Sequence, residues 1–211
     1  LIRGNRGYSM KNLIFAFLSC LIACSSTSQD ATKDSDNAVV DENPSAIHGG
    51  NPVPEEEKWE DCGGMIGDHP CNFSFIDQNG DTFELYENYG KVILLDFSAI
   101  WCGVCNNIAN DAQVFMDDYG EKGFLWVTVL VDDSSGNPPS QEDIVNWASI
   151  YGISSSPVLV GDRSVIDLSA ESGIPISSWP TIVILDRKMI ISNGLNGWSE
   201  QIARQWVEAQ L

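Results

Sequence analysis

The sequence predicts an α/β sandwich: a mixed central sheet flanked by helices, with an N-terminal β-hairpin and a helical insertion. Three observations carry this. Two alternating runs, 73–76 and 82–86, flank Asp77-Gln78-Asn79-Gly80-Asp81, and Asn-Gly between such runs is a strong hairpin signal. Two apolar runs, 91–97 and 124–131, are separated by a helix-patterned segment, as in a strand–helix–strand unit. Two further strands, 181–185 and 189–192, surround the turn Asp186-Arg187-Lys188 and lead into a closing helix.

The elements follow in order. The run 91–97 is continuously apolar around Asp96, the pattern of a strand buried on both faces. Residues 106–119 place Ile108, Ala112, Phe115 and Met116 at helical spacing and close at Gly120. The run 124–131 is a second buried strand. Ser140-Gln141-Glu142-Asp143 has the form of a capped helix start, continuing through Ile144, Trp147 and Ile150 to Gly152. Residues 158–160 fit a short strand. Ser199 opens the last helix, with Ile202, Trp206 and Val207 expected inward.

Composition bounds the rest. Of 211 residues 43% are hydrophobic, with seven Trp and eight Phe, enough for one well-filled core. Arg3, Arg6 and Lys11 precede residue 24 and no acidic residue does; beyond it 8 basic residues face 30 acidic ones. So acidic a surface argues against nucleic acid and against adhesion to anionic lipid.

The first 23 residues read as an export signal. Met10-Lys11-Asn12 is a charged stub, and 13–23 is an apolar run of 11 residues. A membrane-spanning helix needs roughly 20. Leu21-Ile22-Ala23-Cys24 resembles the lipobox of bacterial lipoproteins, which implies lipidation at Cys24; Cys20 fits that pattern less well, and an ordinary secretory signal is the alternative. Ser25, where the inner-membrane retention signal of Gram-negative lipoproteins has Asp, points to the outer membrane. Residues 24–58 are rich in Ser, Thr, Asp, Asn and Glu, with Pro44, Pro52 and Pro54. Such a segment buries too little to offset chain entropy and reads as a disordered acidic tether with a mean reach of about 30 Å. His48 lies in it. The globular domain is expected over 59–211.

Trp101-Cys102-Gly103-Val104-Cys105, directly after the strand 91–97, carries the chemistry. At a helix start the first thiol is expected exposed over free backbone N–H groups, with the second one turn behind. The helix dipole stabilises its thiolate and makes it a nucleophile near neutral pH. A strand feeding a helix through Cys-x-x-Cys reads as a dithiol–disulfide exchange site. Asp96, flanked by Leu95 and Phe97, reads as a buried carboxylate whose pKa rises enough to exchange protons with Cys105; an Asp bonded to backbone at a strand end is the alternative.

These residues resemble the thioredoxin superfamily, in particular the exported TlpA/ResA-type thiol–disulfide oxidoreductases, grouped with the redoxin and AhpC/TSA type. The resemblance covers 65–211. Gly67-Asp68-His69-Pro70, then Phe73, Asp77, Gly80 and Leu85, then Tyr89-Gly90-Lys91 match that branch's entry hairpin. Asp96-Phe97, Ala99 and Trp101-Cys102-x-x-Cys105 match its active-site strand and turn. Trp179-Pro180-Thr181 matches its cis-proline loop, which implies that Pro180 is cis and that Trp101, Trp179 and Thr181 border the substrate. Gly173-Ile174-Pro175 is a second cis-proline candidate. Three residues depart from the pattern: Val104 where Pro is common, Asn110 where thioredoxin's first helix carries Pro, and a bulky Trp179.

The resemblance implies that Cys102 attacks and Cys105 resolves. It also implies client proteins with disulfides or thiols, an envelope thiol reductase as electron donor, and the direction of reduction. No cofactor is expected, and Asn106 after Cys105 excludes covalent haem, which needs His there. Cys62 and Cys71, nine apart in an exported chain, read as a structural disulfide pinning the entry segment, with a second redox pair as the alternative. No metal site is expected, since no second close-spaced cysteine pair exists and His69 stands alone. Two other functions stay open: a non-catalytic binding lipoprotein with a static Cys102–Cys105 disulfide, and a thiol peroxidase. The peroxidase lacks the expected Thr among Ser98-Ala99-Ile100-Trp101.

Overall fold

The computed structural model describes residues 51–211. The expected export signal (1–23), lipidation at Cys24, His48 and most of the expected tether lie outside the described residues. The last part of that tether, 51–58, carries a 3-10 turn at Glu55–Glu57, and Asn51 bridges to Tyr89. The Tyr89 hydroxyl donates to the Glu57 carboxylate.

The hairpin forms where Asn79-Gly80 directed it: β1 (Ser74–Ile76) pairs antiparallel with β2 (Thr82–Glu84). Asp77 closes the turn, its Oδ1 accepting from the backbone N–H groups of Asn79 and Asp81 at 2.8 and 2.9 Å. The main sheet contains β3 (Val92–Ala99), β4 (Phe124–Asp132), β5 (Val158–Val160), β6 (Thr181–Leu185) and β7 (Ile191–Asn196), in the order β5-β4-β3-β6-β7. β3, β4 and β5 run parallel; β6 is antiparallel to β3, and β7 to β6.

Helices α1 (Gly103–Tyr119) and α2 (Gln141–Tyr151) make the two parallel crossovers, and α3 (Glu200–Gln210) closes the chain. The strands advance in one direction across the sheet, so right-handed connections put both crossover helices on one face. That face buries Ile108, Ala112 and Phe115 of α1, Ile144 and Trp147 of α2, and Ala203 and Val207 of α3 against Val92, Leu94 and Trp126. No long helix covers the other face among the described residues. There the hairpin side chains Phe73, Phe75 and Phe83, with Trp59, Val165, Ile174 and Ile176, cover Ile93, Leu95 and Phe97. Strand alternation thus sorts β3: Leu94 and Asp96 point to the helices, Leu95 and Phe97 to the hairpin. Truncating any of these buried leucines to Ala costs about 2–5 kcal/mol.

Several boundaries differ from the sequence expectation. α1 begins at Gly103, three residues before the expected start at 106, and closes at Tyr119 with Gly120 as C-cap, as expected; Gly120 keeps helical angles (φ −55°) and leads into a 3-10 turn that ends at the left-handed Gly123. The strand expected at 189–192 begins at Ile191 and extends to Asn196, because Asn196 pairs with Thr181 and Met189 belongs to the turn at φ 60°. In α2, Ile150 faces solvent, while Ala148 shares the buried face with Ile144 and Trp147. In α3, Ile202 is exposed and Trp206 half-buried, because Ala203 and Val207 hold the inward line. The capping box at Ser140 and the left-handed Gly152 are as expected.

Cys62 and Cys71 are disulfide-bonded. The loop they close is fastened by Trp59 stacked on His69 (ring centroids 3.7 Å apart), whose Nδ1 bonds the Met189 carbonyl at 3.1 Å. Gly64 meets the segment after β5 so closely that a Cβ there would lie 2.2 Å from the Gly173 carbonyl oxygen.

Candidate active site

β3 delivers its last residues to the end of the sheet where the parallel strands terminate. Ile100 N–H donates to Asp132 O (2.9 Å) and Cys102 N–H to Ala99 O (3.0 Å), turning the chain sharply into α1. Cys102 is the N-cap of that helix, and its Sγ accepts from Cys105 N–H at 3.2 Å. The sulfur therefore occupies the place where a helix start offers free donors to an anion. Cys102 and Cys105 are disulfide-bonded. The expected open exposure of the first sulfur is corrected: Cys102 is 6% exposed and Cys105 wholly buried, both inside the helix-face core rimmed by Ile100, Trp179 and Trp198. Covalent pairing with the wholly buried Cys105 ties Cys102 to that core. Trp101 beside it is 51% exposed, and Val104 also faces solvent.

Asp96 is fully buried, and its phase in β3, shared with Leu94, puts it on the sheet face against which the helices and the two cysteines pack. Ser98 Oγ donates to it at 2.5 Å, and Thr128 Oγ1 lies 3.4 Å away on the paired strand. Trp126 Nε1 donates to Thr128 Oγ1 at 3.1 Å. Burial pushes the Asp96 carboxyl up to about 7, against the bonds from Ser98, Thr128 and Trp126, which pull it down. A group so placed can hold or release a proton near neutral pH. Ser98, Thr128 and Trp126 are missing from the sequence reading. The available signal was a polar residue at phase with Asp96 in each of two apolar runs.

The Trp179-Pro180 bond is cis, whereas the competing Ile174-Pro175 bond is trans. Thr181 pairs with Phe97 of β3, which brings the cis-proline loop to the same end of the sheet as Cys102. Trp179 is half-buried. The Thr181 side chain is turned into the loop: its Oγ1 lies 2.8 Å from Ser178 O and 3.0 Å from Asn196 Oδ1. The segment after β5 is tied to this end by Arg163, whose Nε and Nη2 donate to the buried Asp132 carboxylate at 3.1 and 2.6 Å. The other cysteine pair, Cys62–Cys71, sits in the entry loop. Cys62 is exposed, and no helix start underlies either sulfur.

Residues 66–193 match the model of the AhpC/TSA family. The chain is similar to the thiol-disulfide oxidoreductase ResA of Halalkalibacterium halodurans, 25% identical over 142 residues, 67% of this chain and 75% of that protein. It is 39% identical to a thioredoxin of Coprinus comatus over 57 residues, 27% of this chain, and spans only 54% of that relative's length. Among solved structures it resembles the exposed lipoprotein thioredoxin Etrx1 of Streptococcus pneumoniae. The TM-score is 0.54 at 25% identity, covering 67% of this chain and all of that one.

Proposed function

The chain belongs to the AhpC/TSA family, with the fold of thioredoxin-like oxidoreductases, and we propose that it reduces disulfides in client proteins of the bacterial cell envelope through Cys102 and Cys105. One observation carries the reading. The bonded Cys102–Cys105 pair caps α1 at the sheet end where cis-Pro180 stands, and the buried Asp96 faces the same side of the sheet.

In the reduced protein the Cys102 thiolate attacks one sulfur of a client disulfide. One S–S bond forms, the client's own breaks, and the second client sulfur leaves as a thiolate that takes up a proton. Cys105 then loses its proton to Asp96 and attacks Cys102; the Cys102–client bond breaks, and the departing client thiolate takes up a proton to complete the dithiol. The client gains two electrons, and the protein is left with the Cys102–Cys105 disulfide. A thiol reductase of the envelope returns it to the dithiol. Trp101, Val104 and Trp179 supply an apolar border for an extended client segment, which the backbone at Trp179 receives as a strand edge.

The envelope location rests on the lipobox-like Leu21-Ile22-Ala23-Cys24 and on the likeness to a protein named an exposed lipoprotein thioredoxin. Attachment through lipid on Cys24 predicts palmitate labelling and a membrane-bound fraction, both lost in Cys24→Ser.

Dithiothreitol-driven insulin reduction tests the activity. Wild type is expected to accelerate it and Cys102→Ser to leave the uncatalysed rate. Equal rates would remove the proposal. Cys105→Ser is expected to hold clients covalently on Cys102.

The 6% exposure of Cys102 favours a second reading, a binding protein whose Cys102–Cys105 bond is static. A redox titration separates the two: a potential below about −300 mV without exchange marks a static bond. Thiol peroxidase chemistry, which wants an arginine on the sulfur, is less favoured, because Arg163 is engaged with Asp132.

A further inference from the structure

Asn106 follows Cys105 in the first turn of α1. Its Nδ2 donates to the Cys102 carbonyl at 3.0 Å and to the Ile100 carbonyl at 3.3 Å. Its Oδ1 accepts from the Tyr151 hydroxyl at 2.7 Å. The orientation of the amide follows from these partners. Two carbonyl oxygens require the NH₂ group on their side, and a hydroxyl with no competing donor meets the oxygen on the other.

The anchor of this arrangement is α2. Tyr151 is half-buried at its C-terminus, and its ring packs 4.8 Å from that of Trp147, which is buried. A phenol held by packing thus fixes an amide, and the amide binds the carbonyls on both sides of Trp101. Asn106 N–H also donates to Cys102 O at 3.0 Å, so side chain and backbone of one residue converge on the carbonyl of the attacking cysteine. Such a fully paired, part-buried network is rigid.

In the oxidised protein the disulfide itself fixes the turn. On reduction that covalent tie is gone, and the Cys102 sulfur keeps the Cys105 N–H only if the backbone from 100 to 105 stays in place. We propose that Asn106, held by Tyr151, is a positioning residue for thiol–disulfide exchange: it clamps the turn so that the Cys105 N–H remains aimed at the Cys102 sulfur after the disulfide opens. The inference rests on the oxidoreductase reading above for its purpose, but the geometry it concerns is measurable by itself. Neither residue touches the client or the reacting sulfurs through its side chain; both act through the turn.

The test is the pH profile of Cys102 alkylation by iodoacetamide in reduced full-length protein, with peptide mass spectrometry reading that cysteine alone. Asn106→Ala is expected to slow alkylation at pH 7 by about threefold or more, because a smaller fraction of the sulfur is thiolate. Tyr151→Phe, which keeps the ring and its packing, is expected to slow it by a smaller factor in the same direction. Rates at high pH, where every thiol is ionised, should be shifted little. A residue that only held the fold together would lower the melting temperature and leave the profile unmoved. Profiles of both variants lying on that of wild type would overturn the clamp. A wild-type midpoint near the ordinary value of about 8.5 would instead count against the oxidoreductase reading. The difference between variants and wild type reports on the clamp in either case.

Discussion

The two disulfides of this chain occupy opposite physical settings. Cys62–Cys71 closes a nine-residue separation in the entry loop, with Cys62 exposed to solvent and a stacked Trp59–His69 pair beside the loop. Cys102–Cys105 closes a separation of three at the start of a helix, nearly excluded from solvent, on the sheet face that also buries a carboxyl group titrating near 7. Exposure alone would nominate the entry pair, whereas the proposed function assigns reactivity to the buried one. Reactivity comes from what can stabilise the thiolate and move its proton: a helix N-terminus and an acid. The entry loop has no helix start beneath its cysteines among the described residues, and its disulfide reads as a constraint on chain entropy.

The largest effect should come from preventing each disulfide in turn. Cys102→Ser is expected to abolish catalysed insulin reduction, while the double variant Cys62→Ser/Cys71→Ser keeps most of it. A double variant as inactive as Cys102→Ser would make the entry disulfide a second redox centre and end the contrast.

Asp96→Asn sharpens the comparison from the acid's side. Resolution by Cys105 loses its proton acceptor, so turnover should fall by about 10²–10⁴ at pH 7. Stability should move the other way. The folded carboxyl titrates near 7, above its unfolded value of 3.8, so the native state holds a proton that the unfolded chain has already released. The contribution of Asp96 to stability is therefore highest below about pH 4, declines as pH rises towards 7, and stays at its lowered level above that. Asn removes this penalty. Chemical denaturation at pH 8 should find the variant more stable by a few kcal/mol, with the gap vanishing near pH 4. A gap independent of pH would show that Asp96 is not held protonated by burial.

The entry disulfide has its own signature. The double serine variant should lose about 2–3 kcal/mol in urea unfolding, as expected for freeing a short loop. It should also leave the pH profile of Cys102 alkylation unchanged. The smallest effect is expected from Thr128→Val, which deletes the weak bond to Asp96 and the acceptor of the Trp126 Nε1–H. A stability loss of about 1 kcal/mol and a further rise in the Asp96 midpoint, followed by NMR or by the pH–activity curve, would confirm that the hydroxyl tempers the acid.

Much of this molecule was legible in its sequence because its signals are local. Asn79-Gly80 supplies a left-handed turn residue at φ 87°, and Ser140 with Asp143 caps α2 reciprocally. The unbroken apolar run around Asp96 can exist only in a strand buried on both sides. The phases of α2 and α3 were misread for a simple reason. Ile150 and Ile202 are large enough to count as core, yet Ala148 and Ala203 take the buried faces of their helices and the two isoleucines face solvent. The segment after β5 gave almost no periodic signal. It is held by Asp167, whose carboxylate accepts from the N–H groups of Ser169, Glu171 and Ser172, and by the Ile166–Ile174 bridge. No spacing rule announces such a self-closed loop. The polar set around Asp96 and the Tyr151–Asn106 contact depend on which strands and helices become neighbours. A chain read one window at a time does not hold that information.

β3 is the middle strand of five, buried along its whole length, with β4 on one edge and β6 on the other. A strand so confined has neither a free margin along which to slip nor a wet side towards which to relax. Making and breaking the bond between the sulfurs then falls to the two cysteine side chains, with the turn from 100 to 106 tied to α2 through Asn106 and Tyr151 and the strand behind it still. Amide hydrogen exchange in β3 should look the same before and after electron transfer, and a client should meet one rigid mould in both states.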